Sequence, residues 1–277
     1  MGLRVNTNTT SLHAQNSLQE VGEQRRESLA KLSSGHRITK AADDAAGLAI
    51  SEKINAEVRS TRQANRNAND GMALVQTAEG ALSEASSLLT RMRELSMQAA
   101  TDTYSDTDRS MSNQEYQQLK HELERISQTT EFNGRKLLNG SGSRLDFQVG
   151  TGNHSSDDQV SYDTGLLNSN LSSLGVSSLT IQDKMSASSG LNQLDAAITK
   201  VSGQRAIIGS IQNRLLSSAN NLSVYSENMS GAYSRIRDVD FAEESSKLAK
   251  FGILEQAGTM VLSQANTDPK TALKLMN

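Results

Sequence analysis

Several residue types are scarce or absent in this chain of 277 residues, and each absence excludes something. Cysteine is absent, which excludes disulfides, thiolate metal sites and cysteine nucleophiles. Tryptophan is also absent, and aromatic residues make up only 3% of the chain. Apolar residues total 35%, which even with the 19 glycines stays below the roughly 45 to 50% of average globular proteins. The hydrophobic core must therefore be thin.

Proline occurs once, at Pro269, so the strongest helix breaker is missing from nearly the whole sequence. Helices far longer than the usual ~12 residues are therefore permitted. The net charge of -3 supplies no basic field for nucleic acid. No stretch approaches the ~18 apolar residues that a membrane span requires, so we expect a soluble chain. The first residues also lack the continuous apolar region of a Sec signal peptide.

The strongest pattern is a seven-residue repeat in the last third of the chain. It runs without a miss through Leu194, Val201, Ile208, Leu215, Leu222, Met229 and Ile236. A period of seven is typical of a coiled-coil helix, whereas a strand would show a period of two. The second seam position is predicted at Leu191, Ile198 and Ala219, with Arg205 and Gln212 interrupting it.

A matching repeat runs through the first half of the chain. One heptad position holds Ile54, Thr61, Ala68, Val75, Leu82, Leu89 and Ser96, and its neighbour holds Ala78, Ala85, Met92 and Ala99. The two repeats predict a pair of long helices that pack on each other. A third, shorter helix is predicted from Tyr116, Leu119, Leu123 and Ile126, with the polar stretch 101–110 as the turn before it.

The middle of the chain differs in composition from both helical parts. Residues 139–185 are rich in Gly, Ser, Asn and Asp, and Leu145, Phe147 and Val149 alternate with polar residues. This alternation predicts short strands and turns, with 178–182 as a further candidate strand. The predicted fold is mainly α, with long antiparallel coiled-coil-like helices in two layers and a small β-hairpin region in the middle of the chain.

Both ends of the chain carry sparsely apolar amphipathic segments. Their apolar residues recur at mixed spacings of three and four: Leu12, Leu18, Val21, Leu29 and Leu32 near the start, and Phe241, Leu248, Phe251, Leu254, Val261 and Leu262 near the end. Isolated helices of this kind are marginal in water. We therefore expect both arms to be largely disordered in a free monomer and to fold when another surface covers them.

No catalytic or metal site is predicted, and no cofactor. The four histidines fall on different predicted elements. His121 and Glu122 begin like the zinc motif H-E-x-x-H, but Arg125 stands where the second histidine is needed. No nucleophile, base and orienting group can be assembled from these residues, so a hydrolase or metalloenzyme is the least favoured class.

An adjacent acid pair, Asp43 and Asp44, precedes the first long repeat. Neighbouring residues on a helix point ~100° apart, so the two carboxylates do not aim at one substrate. Gly35 is suited to end the preceding helix in the left-handed conformation. We expect the acids to cap the next helix at its N-terminus, or to meet a basic group on a neighbouring molecule.

Six motifs carry a resemblance to a known family. They are "RVNTNTTSLHAQNSL" near the start, "LSSGHRITKAADDAAGLAIS" around the acid pair, "RMRELSMQAA" from 91, "EFNGRKLL" from 131, "SRIRDVDFAEESSKLAK" from 234 and "ILEQAGTMVLSQAN" from 253. They are similar to the motifs of bacterial flagellin, the subunit of the flagellar filament. The resemblance covers both ends and nearly all predicted helices.

The resemblance implies a layered organisation. Residues 1–42 and 237–277 would pair as the inner filament-core layer, and residues 43–236 would form a rod-like helical layer with 139–185 as its β-hairpin excursion. Gly35, Asp43 and Asp44 would lie at the joint between the layers. The short excursion implies a minimal flagellin without large outer domains.

The resemblance also implies partners and a location. The chain would polymerise with itself into an open helical filament outside the cell, and would meet hook-associated junction proteins and cap proteins. It would be exported unfolded by the flagellar type III apparatus, with a cytoplasmic export chaperone on its C-terminal arm. Such export needs no Sec signal.

One run resembles the flagellin surface that the vertebrate flagellin-sensing Toll-like receptor recognises. The matching positions are Arg91, Glu94, Leu95, Gln98 and Glu115. Thr90 stands where strongly recognised flagellins carry glutamine. The alternative is that this run only packs helices.

Two other functions share parts of the pattern. A hook-filament junction protein would share the terminal motifs. A cytoplasmic coiled-coil signalling or adaptor protein would share the heptads and the low aromatic content, but it would not need two amphipathic terminal arms.

Overall fold

The computed structural model of the protein describes the backbone of residues 7–275 and the side chains of residues 7–267. The outermost parts of the predicted inner layer, residues 1–6 and 276–277, lie outside the described residues. The described chain contains these elements in order: α1 (Thr9–Ser34), α2 (Ala45–Ala99), α3 (Asp106–Thr129), β1 (Glu131–Phe132), β2 (Arg135–Lys136), β3 (Arg144–Gln148), β4 (Gln159–Asp163), a 3₁₀ turn (Thr164–Leu166), α4 (Leu171–Leu174), α5 (Lys184–Arg237) and α6 (Phe241–Leu275).

The chain divides into two compact units. One contains residues 1–58 and 228–277, and the other contains residues 59–227. The helices α2 and α5 supply residues to both units. The layer boundaries at 42 and 237 concern packing inside a polymer and stay a prediction.

The unit 59–227 is built on the antiparallel pairing of α2 with α5, which confirms the predicted helix pair. The Asn65 side chain donates to the Ala219 carbonyl at 2.8 Å, Arg205 pairs with Glu79 at 2.8 Å, and Arg93 pairs with Asp195 at 2.5 Å. Partner numbers on α5 fall as those on α2 rise, so the helices run in opposite directions. Residues of the α2 repeat from Thr61 to Ala99 are buried between them.

The predicted first seam position of α5 is correct over most of the helix. Leu194, Val201, Ile208 and Leu215 are fully buried, and the exposure then rises, so that Leu222, Met229 and Ile236 are half-buried. At ~1.5 to 3 kcal/mol for each fully buried aliphatic side chain, these residues are a large contribution to the stability of the pair.

The predicted second seam position is confirmed at Ala219, which is buried, but between 190 and 212 it is wrong by one residue. The buried positions are Gly190, Ala197, Gln204 and Ile211, one residue before Leu191, Ile198, Arg205 and Gln212. The small residues Gly190 and Ala197 leave little bulk at this position, and the larger Leu191 and Ile198 are half-buried beside it. Arg205 is therefore free to form its ion pair with Glu79 at the edge of the seam.

The β region contains two separate antiparallel hairpins. β1 pairs with β2 through the turn Asn133-Gly134, whose φ values of 49° and 76° are both positive, as a type I′ hairpin turn requires. β3 pairs with β4 from Arg144 opposite Asp163 to Gln148 opposite Gln159. The apolar residues of this region join the core of the unit 59–227, so the predicted β-hairpin region is confirmed.

Residues 178–182 were predicted as a strand, and the structure contradicts this. The segment begins in a turn at Ser178, ends in a bend at Gln182 and pairs with no strand among the described residues. Side chains of α3 take the place of a strand partner: Asn113 accepts from the Ile181 amide at 3.1 Å, and Lys120 donates to the Leu179 carbonyl at 3.2 Å. Buried Leu179 and Ile181 anchor the segment in the core.

The predicted turn at 101–110 is too long, because α3 begins at Asp106. Ser105 and Asp108 form a capping box at its start. Arg109 is buried, and its guanidinium donates to the carbonyls of Ala99 and Thr101 at 2.9 and 2.8 Å. These carbonyls lie at the C-terminal end of α2 and have no partner inside the helix. Arg109 therefore fixes the α2–α3 connection.

No helix among the described residues is long and apolar enough to cross a membrane.

Two glycine substitutions separate backbone entropy from packing. A Cβ at Gly209 in α5 would meet nothing within 4 Å, so Gly209→Ala should raise the free energy of unfolding by about 0.5–1 kcal/mol. A Cβ at Gly71 in α2 would lie 3.1 Å from the Phe147 ring of β3. In Gly71→Ala this tight contact should therefore cancel the increase in the free energy of unfolding. Thermal unfolding followed by circular dichroism measures both. A Gly71→Ala protein as stabilised as Gly209→Ala would contradict the packing.

Candidate assembly surfaces

Within the unit formed by residues 1–58 and 228–277, α1 and α6 pack along one heptad seam. The covered positions alternate at three and four residues on both helices: Ser11, Ala14, Leu18, Val21, Arg25, Ser28 and Leu32 on α1, and Glu244, Leu248, Phe251, Glu255, Gly258, Leu262 and Ala265 on α6. The alternation is typical of coiled-coil packing. Eight of these fourteen positions are polar or small, so the seam buries little apolar area.

Polar contacts fix the register of this pair. Ser11 Oγ donates to Asn266 Oδ1 at 2.7 Å, and the Asn8 side chain donates to the Ala265 carbonyl at 2.7 Å. Arg25 pairs with Glu255 at 2.5 Å. A Cβ at Gly258 would lie 3.0 Å from Leu18 Cδ1, so the glycine admits the leucine. The contacts show that α1 and α6 are antiparallel.

Glu244 is an acid buried on this seam. Burial by itself raises the pKa of a carboxyl, but hydrogen bonds from Ser28 and Lys247 outweigh it, and the pKa of Glu244 lies below its usual range. Glu244 also lies in the first turn of α6, where a negative charge meets the positive end of the helix dipole. The carboxylate therefore links α1 to the start of α6.

The predicted arm residues fall on two different faces. Six are half-buried on the seam between α1 and α6: Leu18, Val21, Leu32, Leu248, Phe251 and Leu262. Five are exposed: Leu12, Leu29, Phe241, Leu254 and Val261. The sequence pattern grouped all eleven residues together, and their spacing alone did not separate the two sets.

The exposed side of α6 carries an apolar stripe, which we define as Ile253, Leu254, Ala257, Met260 and Val261. Ile253 is 68% exposed and Met260 is 74% exposed. Neither was predicted as an assembly residue. The sequence does contain a signal for this stripe. Apolar residues recur seven positions apart, at 253 and 260 and at 254 and 261, beside the repeat that forms the seam. The other exposed side of α6 is polar, with Gln256, Thr259 and Ser263.

The joint begins where α1 ends, and here the structure agrees with the expected geometry. Gly35 has φ 72°, and its N–H donates to the Lys31 carbonyl at 2.9 Å. Asp44 Oδ1 accepts from the Gly47 N–H at 2.8 Å, so Asp44 caps α2. Asp43 does not cap the helix. Its Oδ2 accepts from the N–H groups of Thr39 and Lys40, both at 2.9 Å, and closes the preceding turn.

The pKa of the Asp43 carboxyl lies below its ordinary value because it accepts hydrogen bonds from the backbone N–H groups of Lys40 and Thr39. The folded turn therefore favours the charged form of Asp43. The two acids act on different backbone segments, one on the turn and one on the helix.

A short bridge holds the chain entering α2 against the chain leaving α5. His36 and Asp238 form an antiparallel bridge, in which the Arg37 N–H donates to the Arg237 carbonyl at 2.7 Å. The Arg237 side chain donates to Ser51 Oγ at 3.2 Å and Glu52 Oε1 at 3.1 Å. The joint is thus tied on both sides by backbone and arginine hydrogen bonds.

The receptor-like residues lie on α2 and α3 in the unit 59–227. Arg91 donates to Glu115 Oε1 at 2.9 Å and to Glu94 Oε2 at 3.0 Å, and these side chains are exposed. Hydrogen bonding to Glu115 and Glu94 raises the pKa of Arg91. Gln98 donates to the Tyr104 hydroxyl. Leu95 differs from the others, because it is only 2% exposed and belongs to the core.

Comparisons with known proteins agree over nearly the whole chain. Residues 5–143 match the family model for the bacterial flagellin N-terminal helical region, and residues 191–276 match the model for its C-terminal helical region. The chain is 40% identical to a flagellin of Halalkalibacterium halodurans, covering 98% of this chain and 99% of that protein. It is 37% identical to a flagellin of Bacillus subtilis, covering 99% and 100%.

Two solved structures are similar in fold. The crystal structure of Bacillus cereus flagellin is 34% identical, with a TM-score of 0.50 over 61% of this chain and 94% of that one. A Vibrio parahaemolyticus chain assigned as a flagellar hook-associated protein has a TM-score of 0.58 over 71% of this chain and 100% of that one. At 16% identity, the second similarity shows the fold alone.

The first prediction at the joint concerns the helix cap. Asp44→Ala removes the acceptor of the Gly47 N–H, which should lower the free energy of opening the first turn of α2 by about 1 kcal/mol. Hydrogen exchange at the Gly47 amide measures this change. Asp70→Ala, inside α2 and away from a helix end, is the control and should leave Gly47 exchange unchanged. Equal effects of the two variants would exclude the capping role.

The second prediction at the joint concerns pH. Because the folded pKa of Asp43 is depressed, its stabilisation is present above the unfolded value near about 4 and is lost as pH falls through the folded pKa. The Thr39 and Lys40 amides should therefore lose exchange protection below about pH 4. Asp43→Asn keeps an acceptor oxygen without the charge, so its protection should be weaker than that of wild type at neutral pH and should not change with pH. A turn protected equally at low and neutral pH would contradict this role.

Proposed function

This chain belongs to the bacterial flagellin family, and on that premise we propose that it polymerises with itself into the extracellular filament of the bacterial flagellum. Both family regions are present, and flagellin relatives match nearly their full lengths. The chain is a structural subunit of the filament. We propose no catalytic role for it.

The observation that carries the assembly mechanism is the two-sided character of α6. One side pairs with α1, and the other presents the apolar stripe to solvent in a single chain. Exposed contiguous apolar patches mark interaction surfaces. In our proposal the stripe packs against a different patch on the next copy. Such a heterologous contact repeats without closing and produces an open helical polymer.

The composition of the α1–α6 seam supports coupling of arm folding to assembly. The seam contains Ser11, Ser28 and the Arg25–Glu255 pair, and partly exposed ion pairs contribute little net stability. In our proposal the paired arms are marginal in one chain and gain most of their stability when neighbouring copies cover the stripe. Export of the unfolded chain by the flagellar type III apparatus, with a chaperone on the C-terminal arm, is consistent with such marginal helices.

Interactions with junction and cap proteins belong to the ends of the same polymer. The similar fold of one chain assigned as a flagellar hook-associated protein supports such end contacts. The junction function itself is not favoured, because curated flagellins match both ends of this chain at 37 to 40% identity. A cytoplasmic adaptor is not favoured for the same reason.

Recognition by the vertebrate flagellin-sensing Toll-like receptor is a second proposal for a different surface. Four of the five resembling side chains, those of Arg91, Glu94, Gln98 and Glu115, are exposed on one chain and available to a receptor. Leu95 is part of the core and supports the surface from below. Its role in our proposal is to hold the α2 backbone in place.

The filament proposal predicts that Leu254→Asp abolishes filament growth. A charge in the stripe would be buried without a partner when two copies dock, which costs several kcal/mol. Ser263→Asp places the same charge on the polar side of α6 and is the matched control. Electron microscopy of protein concentrated in high salt should show filaments for wild type and Ser263→Asp only. Normal filaments from Leu254→Asp would overturn the assignment of the stripe.

The receptor proposal predicts that Arg91→Ala lowers potency by about tenfold or more, because Arg91 lies on the proposed surface and arginine is enriched among binding hot spots. Arg125→Ala is the control, since Arg125 forms a similar exposed pair with Glu122 on α3. A reporter-cell assay with monomeric protein compares the two. Equal loss in both variants, or none in Arg91→Ala, would exclude the proposed surface.

A further inference from the structure

The apolar stripe of α6 contains one sulfur atom, the thioether of Met260. Met260 is 74% exposed in a single chain, and the other members of the stripe carry only hydrocarbon side chains. A thioether is apolar, but oxidants convert it into a sulfoxide, which is polar. The stripe therefore contains one side chain whose polarity changes with the chemistry of its surroundings.

The position of Met260 on α6 places this chemistry on the uncovered face. Ile253 and Ala257 precede Met260 by seven and three residues, so the three side chains share one face of the helix. Gly258 and Leu262 lie two residues away on either side and point about 160° from Met260, into the seam with α1. Oxidation at Met260 therefore alters the face left for a neighbouring copy and leaves the α1–α6 seam in place.

The helix around Met260 is uncharged, because residues 256–267 contain no Asp, Glu, Lys or Arg. A second copy can therefore cover this part of the stripe without removing a charge from water. A sulfoxide oxygen changes this balance. It is a hydrogen-bond acceptor that water solvates in the single chain and that loses this water when another copy docks. Oxidation should thus weaken the contact between copies more than it affects the single chain.

We propose, on the basis of the filament function proposed above, that Met260 is an oxidation site that controls assembly. Oxidation of its thioether in the unassembled chain prevents the apolar stripe from docking on the next copy. Docking in turn covers the thioether and protects it from oxidation. The oxidant class is a two-electron oxygen donor, such as hydrogen peroxide, which attacks exposed thioethers. A subunit is then sensitive to oxidant outside the cell only until it is assembled.

The reaction transfers one oxygen atom to sulfur. A lone pair of the Met260 sulfur attacks one oxygen of hydrogen peroxide, so that an S–O bond forms and the O–O bond breaks. The other oxygen leaves with both protons as water; the sulfur loses two electrons and the peroxide gains them. Methionine sulfoxide reductases reverse the change, one enzyme for each sulfoxide epimer. A dithiol supplies the two electrons, becomes a disulfide and releases water, and the chain itself has no cysteine with which to do so.

Other methionines of the chain separate the effect of Met260 from general oxidation. Met97, Met111 and Met185 are also exposed, but they lie on α2, α3 and α5 in the unit 59–227. Met185 is the most exposed of them, at 84%, whereas Met92 is fully buried in the core. Peroxide should therefore reach Met185 as readily as Met260, and only the location of Met260 in the stripe relates oxidation to docking.

Peroxide treatment of the full-length monomer, followed by sedimentation and electron microscopy, tests the proposal. The concentration needed for filaments should rise by about tenfold or more in oxidised wild type, because the sulfoxide loses its water on docking. Oxidised Met260→Leu should assemble as it does before treatment, whereas oxidised Met185→Leu should be impaired like wild type. Peptide mass spectrometry should show Met260 oxidised in the monomer and protected in the filament. Equal impairment of Met260→Leu and wild type, or equal oxidation of Met260 in both states, would overturn the proposal.

Met260→Gln supplies an arm without oxidant, because glutamine has a similar length and carries a polar end. This variant should need a higher concentration to form filaments, while the circular dichroism of its monomer stays that of wild type. Methionine sulfoxide reductase with a dithiol should restore assembly of the oxidised wild type. Oxidised wild type that assembles normally would overturn the role of Met260 alone. Wild type that forms no filaments before oxidation would overturn the filament function and this role together.

Discussion

The interaction on which the whole structure depends is the narrow heptad seam between antiparallel helices. With 35% apolar residues the chain cannot surround a wide core, so each long helix buries one line of side chains against one partner. The α2–α5 seam is filled by Leu194, Val201, Ile208 and Leu215 and stands within one chain. The α1–α6 seam contains serine, glycine and charged residues in the same places. The two seams therefore differ in strength, and this difference relates folding to assembly.

Buried polar side chains determine how the irregular segments attach to these helices. Gln204 occupies a seam position of α5 and contacts Ser169 Oγ at 2.8 Å and the Asn168 carbonyl at 3.1 Å. Arg109 likewise donates a hydrogen bond to the Ala99 carbonyl and attaches α3 to the end of α2. Such groups add little apolar burial, but each fixes one segment in one register, because a shift would leave it unpaired. A thin core thus gains specificity from hydrogen bonds.

Periodicity predicted the helices because an unbroken repeat such as Leu194 to Ile236 has one simple geometric solution. It failed where residue size or side-chain hydrogen bonds decided the outcome. Leu191 and Ile198 appeared better seam residues than Gly190 and Ala197, but the close approach of two helices favours the small side chains. Residues 178–182 have strand composition, yet the Ile181 N–H donates to the Asn113 side chain and not to a neighbouring strand. The capping role of Asp44 could be predicted from local chemistry. The stripe with Ile253 and Met260 could not be predicted from the sequence, because only the packing of α1 shows which repeat of α6 remains uncovered.

The central claim is that α6 has one face for its own chain and one for its neighbour, and that the second contact stabilises the first. Hydrogen exchange of monomer and filament under the same conditions tests this most directly. The account predicts that amides of residues 241–267 exchange rapidly in the monomer and become strongly protected in the filament, while those between 184 and 219 are protected in both. Equal protection of α6 in the two states would contradict it.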